Sequence, residues 1–133
     1  MLRDDGYCFA CGKDNPGGLH LTFALDAEGD MVASFTPQRI HQGYAGIVHG
    51  GILATLADEC MAQLVLARKV DALTARLELA YKLPAEVGRS LKAVARLVKE
   101  ERRLLQLVCA IYDEEGRCVT EAKATFVRKS NGG

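Results

Sequence analysis

The sequence contains no tryptophan, only three prolines, and only four phenylalanines and four tyrosines in 133 residues. An aryl-lined pocket is therefore not signalled, although those rings suffice to build one. No internal repeat, low-complexity tract or Pro/Ser-rich linker divides the chain, so one domain over residues 1–133 is expected. Neither charge is in surplus: 17 basic residues balance 17 acidic ones. No basic cluster is interleaved with aromatics, which argues against a nucleic-acid partner. No apolar run reaches the roughly 18 to 20 residues of a membrane span, because Asp58, Glu59 and Gln63 interrupt the longest. The opening MLRDDGYCFACG lacks the apolar stretch of a secretory leader, so a cytoplasmic location and no membrane partner are expected. Five cysteines without such a leader read as free thiols.

What is present is enough apolar residue, 49%, for an ordinary core. GLHLTFAL (Gly18 to Leu25) alternates as a half-buried strand would, Glu28 to Asp30 signals a turn, and MVASF (Met31 to Phe35) reads as the returning strand. Residues 36–48, with Pro37, Gly43 and Gly46, read as an irregular loop. A helix follows from about Gly50 to about Lys69. Four further strands are expected, at Leu73 to Leu83, Ser90 to Glu100, Leu104 to Asp113 and Cys118 to Lys129. Strands joined by short turns pair antiparallel, and their alternation leaves one face to be covered. The single helix is the available cover, which gives an α+β architecture with a sheet curled around one apolar helix. One helix is thin cover for six strands, so a second copy of the chain is expected to shield part of the sheet.

The helix itself, VHGGILATLADECMA, carries two adjacent carboxylates in an apolar body. At about 100° per residue, Leu53, Leu56, Ala57, Cys60 and Leu64 form one stripe, which Ala54, Met61 and Val65 widen. Asp58 falls on the Met61/Val65 flank, whereas Glu59 points about 100° away, towards Ile52, Gln63 and Leu66. The two acids therefore do not share a site. Asp58, among apolar neighbours, is the better candidate for a base, and Glu59 reads as a rim carboxylate. Gly50 and Gly51 expose first-turn amides to which a developing oxyanion could bind, or else they merely permit the turn into the helix. Gly51 and Asp58 face nearly the same way but lie about 10 Å apart along the axis. One chain cannot readily bring both to one carbonyl, so a shared site would lie between subunits.

HGGILATLADE followed by LTARLELAYKLPAEVG resembles the hotdog-fold acyl-CoA thioesterases, in particular the small phenylacetate-pathway group, and CFACGKDNPGGLHLTF resembles an N-terminal segment of one subgroup. The resemblance runs from about Tyr7 to Val127. It implies a hotdog fold, homodimers joined edge to edge and often paired into homotetramers, and hydrolysis of an acyl-CoA of small, medium-chain or aryl type to the acid and coenzyme A. No cofactor is implied, coenzyme A being part of the substrate. Carried over by motif, Asp58 matches the general base or nucleophile, and the Gly51 amide the group that polarises the thioester carbonyl. His49 and Gly50 fall in the substrate-binding turn, and Thr74 where some members place a hydroxyl that orients water. Where some members have Asn six residues before the His, this chain has Gly43, with Gln42 adjacent and able to place the water instead. His49 itself is expected to bond backbone rather than act as a base.

A non-catalytic acyl-CoA binding module on the same fold is the competing reading. Members resembling the R-specific hydratases carry a His five residues after the Asp, where this chain has Gln63. Too few residues precede the first strand for a helix-turn-helix. Cys8 and Cys11 make half a zinc site, and neither His20 nor His41 stands at finger spacing, so no metal is assigned. Cys60, Cys109 and Cys118 read as packing residues. Arg102, Arg103, Lys82 and Arg89 stand where basic side chains could meet coenzyme A phosphates or simply face solvent.

Overall fold

The computed structural model describes residues 2–129; the outermost parts of the expected 1–133 domain, Met1 and residues 130–133, lie outside the described residues. Apolar periodicity of two and of 3.6 alternate along the chain as anticipated. The strands are β1 (Thr22–Leu25), β2 (Met31–Phe35), β3 (Ala72–Tyr81), β4 (Leu91–Glu100), β5 (Leu104–Tyr112) and β6 (Cys118–Arg128). One long helix, α1 (Gly50–Ala67), lies between β2 and β3, and a single 3-10 turn covers Arg39–His41 within the expected loop. All strands pair antiparallel in one sheet of order β1-β2-β4-β5-β6-β3. A curved antiparallel sheet around one central helix is the hotdog arrangement.

Every strand of the sheet's centre buries alternate residues on the helix side. These are Met31, Ala33 and Phe35 of β2, Leu91, Ala93 and Ala95 of β4, Leu105, Leu107, Cys109 and Ile111 of β5, and Ala122, Ala124 and Phe126 of β6. The small residues have a purpose in packing: with only methyl groups at Ala33, Ala93 and Ala95, α1 seats close to the sheet. Cys60 Sγ accordingly lies 3.4 Å from the Met31 carbonyl oxygen. The buried stripe of α1 is Leu53, Leu56, Ala57, Cys60, Met61, Leu64 and Val65, as the 3.6 period predicts. By length and composition α1 could cross a bilayer, but four of its side chains, at Leu56, Ala57, Cys60 and Met61, are fully covered by the rest of the chain. It is the core of the fold.

Two expectations are corrected. Gly18 to Leu21 do not join β1. His20 has φ +53, and the Leu19 and Leu21 amides bond instead to the carbonyls of Phe9 and Ala10, at 2.8 and 2.9 Å. The N-terminal segment claims those donors, so alternation alone misplaces the start of the strand. The second correction concerns neighbours: β3 does not pair with β4, although a short connection joins them. The Pro84–Gly88 stretch packs against the loop before α1, its Val87 and Gly88 amides donating to the Gly46 and Pro37 carbonyls, while β4 pairs with β2 and β3 closes against β6. As a result β3 is an edge strand of ten residues whose outer side, with Leu73 and Tyr81 more than half exposed, has no partner among the described residues.

Leu56 sits at the centre of this packing with none of its surface accessible. Leu56→Ala is expected to destabilise the fold by about 2–5 kcal/mol, the cost of lost burial plus the cavity left behind. Equilibrium urea unfolding of the two proteins checks it.

Candidate active site

The helix start is built by its own motif. His49, in extended backbone conformation, caps α1 through its side chain: Nδ1 accepts from the Gly51 N–H at 2.9 Å, which leaves the ring proton on Nε2. A Cβ on Gly51 would lie 3.1 Å from that same Nδ1, close enough that the folded-back ring would have to shift. Gly50 is matched in a different way. The Tyr81 ring packs against it, 3.3 Å from where a Cβ would stand, and Tyr81 Oη donates to the Gly50 carbonyl at 2.8 Å. Tyr81 thus fixes the helix start from the far end of β3, a contact that its position among alternating strand residues did not announce.

The loop before the helix is held by a chain of backbone contacts. The His49 N–H donates to the His41 carbonyl at 2.9 Å, and the Gly43 N–H to that of Ile47 at 2.8 Å. Gln42 Oε1 accepts from the Gly46 N–H at 3.1 Å, so Gln42 closes its own loop and has its amide NH2 left for other partners. A cleft of about 340 Å3 opens beside this turn, lined by Tyr44, Ile47, Gly50, Leu53, Tyr81 and Leu83. Asp58 is not part of its lining.

Asp58 stands two turns further along α1, half-buried, and accepts a hydrogen bond from Thr74 Oγ1 at 2.8 Å. An irregularity in β3 makes this contact possible. The register against β6 slips between Thr74 and Arg76, leaving Ala75 as an extra residue. Strict alternation would put Thr74 on the outer face with Arg76 and Glu78. The extra residue reverses that parity, so Thr74 joins Ala72, Leu77 and Leu79 on the side facing the helix. The carboxylate and hydroxyl are brought together, while the Gly51 amide stays two turns away at the helix start.

Glu59 points off the opposite flank, as the helical angle requires. It lies beside the N-terminal segment, where Gln63 Nε2 donates to its Oε1 at 3.1 Å and the Cys8 and Cys11 sulfurs are within 4 Å. The histidines weighed as partners for those thiols are elsewhere: His20 Nε2 sits 2.6 Å from the Asn15 carbonyl, and His41 Nδ1 accepts from the Gln38 N–H at 2.8 Å. Among the basic residues weighed for phosphate contact, Arg89 is held by Glu114 and Glu115 and Lys82 reaches Glu121. Cys60 and Cys109 are buried and Cys118 is half-buried, which fits packing roles.

This chain belongs to the thioesterase superfamily, whose family model matches residues 45–120, from the loop before α1 into β6. Among curated relatives, the acyl-coenzyme A thioesterase THEM4 of Mus musculus is 35% identical over 65% of this chain and 38% of its own length. The chain spans 38% to 53% of the length of the curated THEM4 relatives it matches. The fold is shared with a hypothetical thioesterase of Streptococcus pneumoniae TIGR4 solved with coenzyme A (23% identity, 83% of this chain and 86% of that one, TM-score 0.78). It is also shared with the PaaI protein of the E. coli phenylacetic acid degradation operon (20% identity, 84% and 81%, TM-score 0.79).

The loop that carries His49 has a pH dependence of its own. His41 is buried against Phe35, and burial lowers its pKa below the ordinary histidine value of 6.5. Below that value the unfolded chain takes up a proton at His41 that the folded chain resists. Its contribution to stability is complete above pH 6.5 and is lost as pH falls towards the lowered folded value, by at most about 1.4 kcal/mol per pH unit for one proton. His41→Asn keeps an acceptor for the Gln38 N–H without a titrating ring. Denaturant melts between pH 7.5 and 5 are expected to show a shallower acid decline in the variant.

Proposed function

We propose that this chain hydrolyses acyl-CoA thioesters at a site that two copies build together, Asp58 and Thr74 coming from one and the Gly51 turn from the other. The Thr74–Asp58 hydrogen bond carries the reading. It occupies one carboxylate oxygen and leaves the second to accept a proton from water, while the Thr74 oxygen, having donated its own proton, can accept from the same water. The water so held attacks the thioester carbonyl as Asp58 takes its proton. The tetrahedral oxyanion takes the Gly51 N–H from His49 Nδ1, because an anion is the stronger acceptor. Collapse expels the coenzyme A thiolate, which needs no strong general acid, and the products are a free acid and coenzyme A.

Length supports a site built from two copies. Seven residues of helix separate Gly51 from Asp58, about 10 Å of rise, and the attacked carbon must be within about 3.5 Å of the water. The unpartnered edge of β3, which carries both Thr74 and Tyr81, is the surface for the second copy, and it would present that copy's helix start to Asp58. The apolar cleft beside Gly50 suits a short, medium-chain or aryl acyl group. Variants of the S. pneumoniae thioesterase have been solved with an Asp and a Thr changed to Ala at positions as far apart in sequence as Asp58 and Thr74. The engagement of the Gly51 N–H by His49 favours one competing reading, a module that binds acyl-CoA without cleaving it.

Thiol release from a panel of short, medium, long and aryl acyl-CoAs separates the two. Wild type is expected to turn over at least one class. Asp58→Asn is expected to lose about 10²–10⁴ in kcat, the usual worth of a general base, with circular dichroism unchanged. Thr74→Val, which removes one hydrogen bond to a charged group, is expected to lose roughly 10–100-fold. Retained turnover in Asp58→Asn, or ligand-induced stabilisation of wild type without any thiol release, would sink the assignment.

A further inference from the structure

We infer that Cys8, Cys11 and Glu59 form a binding site for one zinc-class divalent cation, which fastens the N-terminal segment to the central helix. The two thiols stand in Cys-Phe-Ala-Cys-Gly, a two-residue spacing that lets one tight turn present both sulfurs to the same ion. The turn is built and not slack. The Gly12 N–H donates to the Cys8 carbonyl at 2.8 Å, and a Cβ on Gly12 would lie 2.3 Å from Cys8 N, so the turn closes only around glycine. Between the cysteines, Phe9 and Ala10 give their carbonyls to the Leu19 and Leu21 amides. Both sulfurs are thus anchored through backbone that the rest of the segment holds.

The third ligand comes from α1. Cys8 Sγ lies 3.7 Å from Glu59 Oε2 and Cys11 Sγ 3.8 Å from Glu59 Oε1, and one ligand atom from each of the three residues fits within 4.8 Å of the others. With Zn–S near 2.3 Å and Zn–O near 2.0 Å, the ligand atoms of a tetrahedral site stand about 3.3–3.8 Å apart. Each sulfur already has one carboxylate oxygen at the upper end of that range, and bringing both thiols onto a single oxygen takes an adjustment of at most about 1 Å within the 4.8 Å trio. Gln63, one turn on, holds the carboxylate through its Nε2 at 3.1 Å and stands 3.6 Å from Cys11 Sγ, as an outer partner of a metal ligand does. A cleft of about 470 Å3, which Leu2, Asp4, Tyr7 and Gln63 help to line, borders the cluster and leaves room for water as the fourth ligand.

Without a cation, two thiols and a carboxylate share one partly buried cluster, where a second negative charge is unfavourable. A divalent cation reverses that balance. Each thiol then gives up its proton and the three groups become mutually compatible. Two sulfurs with one carboxylate select zinc over magnesium or calcium, which take oxygen alone. The consequence is structural: the ion ties the segment before β1 to the helix one residue beyond Asp58.

The site is read without turnover, so its failure and that of thioester hydrolysis are separate results. The reduced chain, stripped with chelator, is titrated with Co2+ and then Zn2+. One equivalent of cobalt is expected to give thiolate charge-transfer absorption and the visible bands of a tetrahedral ion, bleached by one equivalent of zinc, and zinc is expected to raise Tm. Cys8→Ser and Glu59→Gln are each expected to weaken binding by more than tenfold, and Cys118→Ser to leave it unchanged. Glu59→Gln keeps the shape of the side chain, so it stays decisive if a cysteine variant fails to fold. Absence of the thiolate band in folded wild type, or unchanged affinity in Glu59→Gln, overturns the proposal.

Discussion

The Thr74 hydroxyl reaches Asp58 only because β3 carries one residue too many. Without the extra residue at Ala75 the strand would present Thr74 to solvent beside Arg76 and Glu78, and Asp58 would stand half-buried without this partner. A bulge disrupts local ladder bonding and is retained where it aims a side chain. Here it aims one at a helix that cannot move to meet it, because Leu56, Ala57, Cys60 and Met61 lock α1 into the curve of the sheet. The rigidity of the core and the irregularity of the edge strand work as a pair: one fixes the carboxylate and the other brings the hydroxyl.

The same helix organises three separate regions. Its first turn is shaped by His49 folded back on Gly51 and by Tyr81 on Gly50. Its middle holds Asp58 towards β3, and the next residue, Glu59, leaves on the other side towards the N-terminal thiols. Adjacent acids in an apolar helix would repel in a common pocket. Separated by about 100° they serve two neighbourhoods, each with its own donors.

Local periodicity made the helix and its buried stripe legible, and the divergence of Asp58 and Glu59 followed from the residue angle alone. Met31 to Phe35 was exact, and the long strands were right to within a residue or two. Long-range pairing was less accessible. Nothing in the short connection after Tyr81 says that β3 crosses to the far edge to pair with β6, and nothing in Gly18 to Leu21 says that the N-terminal segment will take its amides. The HGG turn was recognisable as a motif, but its internal logic, a histidine cap over a glycine, needs coordinates. So does the neighbourhood of Glu59, since its thiol neighbours come from 48 and 51 residues earlier in the chain.

A site divided between two copies has a signature that neither copy alone can mimic. Asp58→Asn lacks the base, and Gly51→Pro lacks the amide proton, and with it the His49 cap, at a first-turn position whose N–H has no partner within the helix. Each is expected to be inactive by itself. When the two variants are unfolded together and refolded as a mixture, heteromers regain one intact site, with Asp58 from the proline variant facing Gly51 from the asparagine variant. Recovered thiol release in the mixture, at a fraction of the wild-type rate, is the expected result; a mixture that assembles into heteromers yet stays as inactive as its components would contradict a site shared between chains.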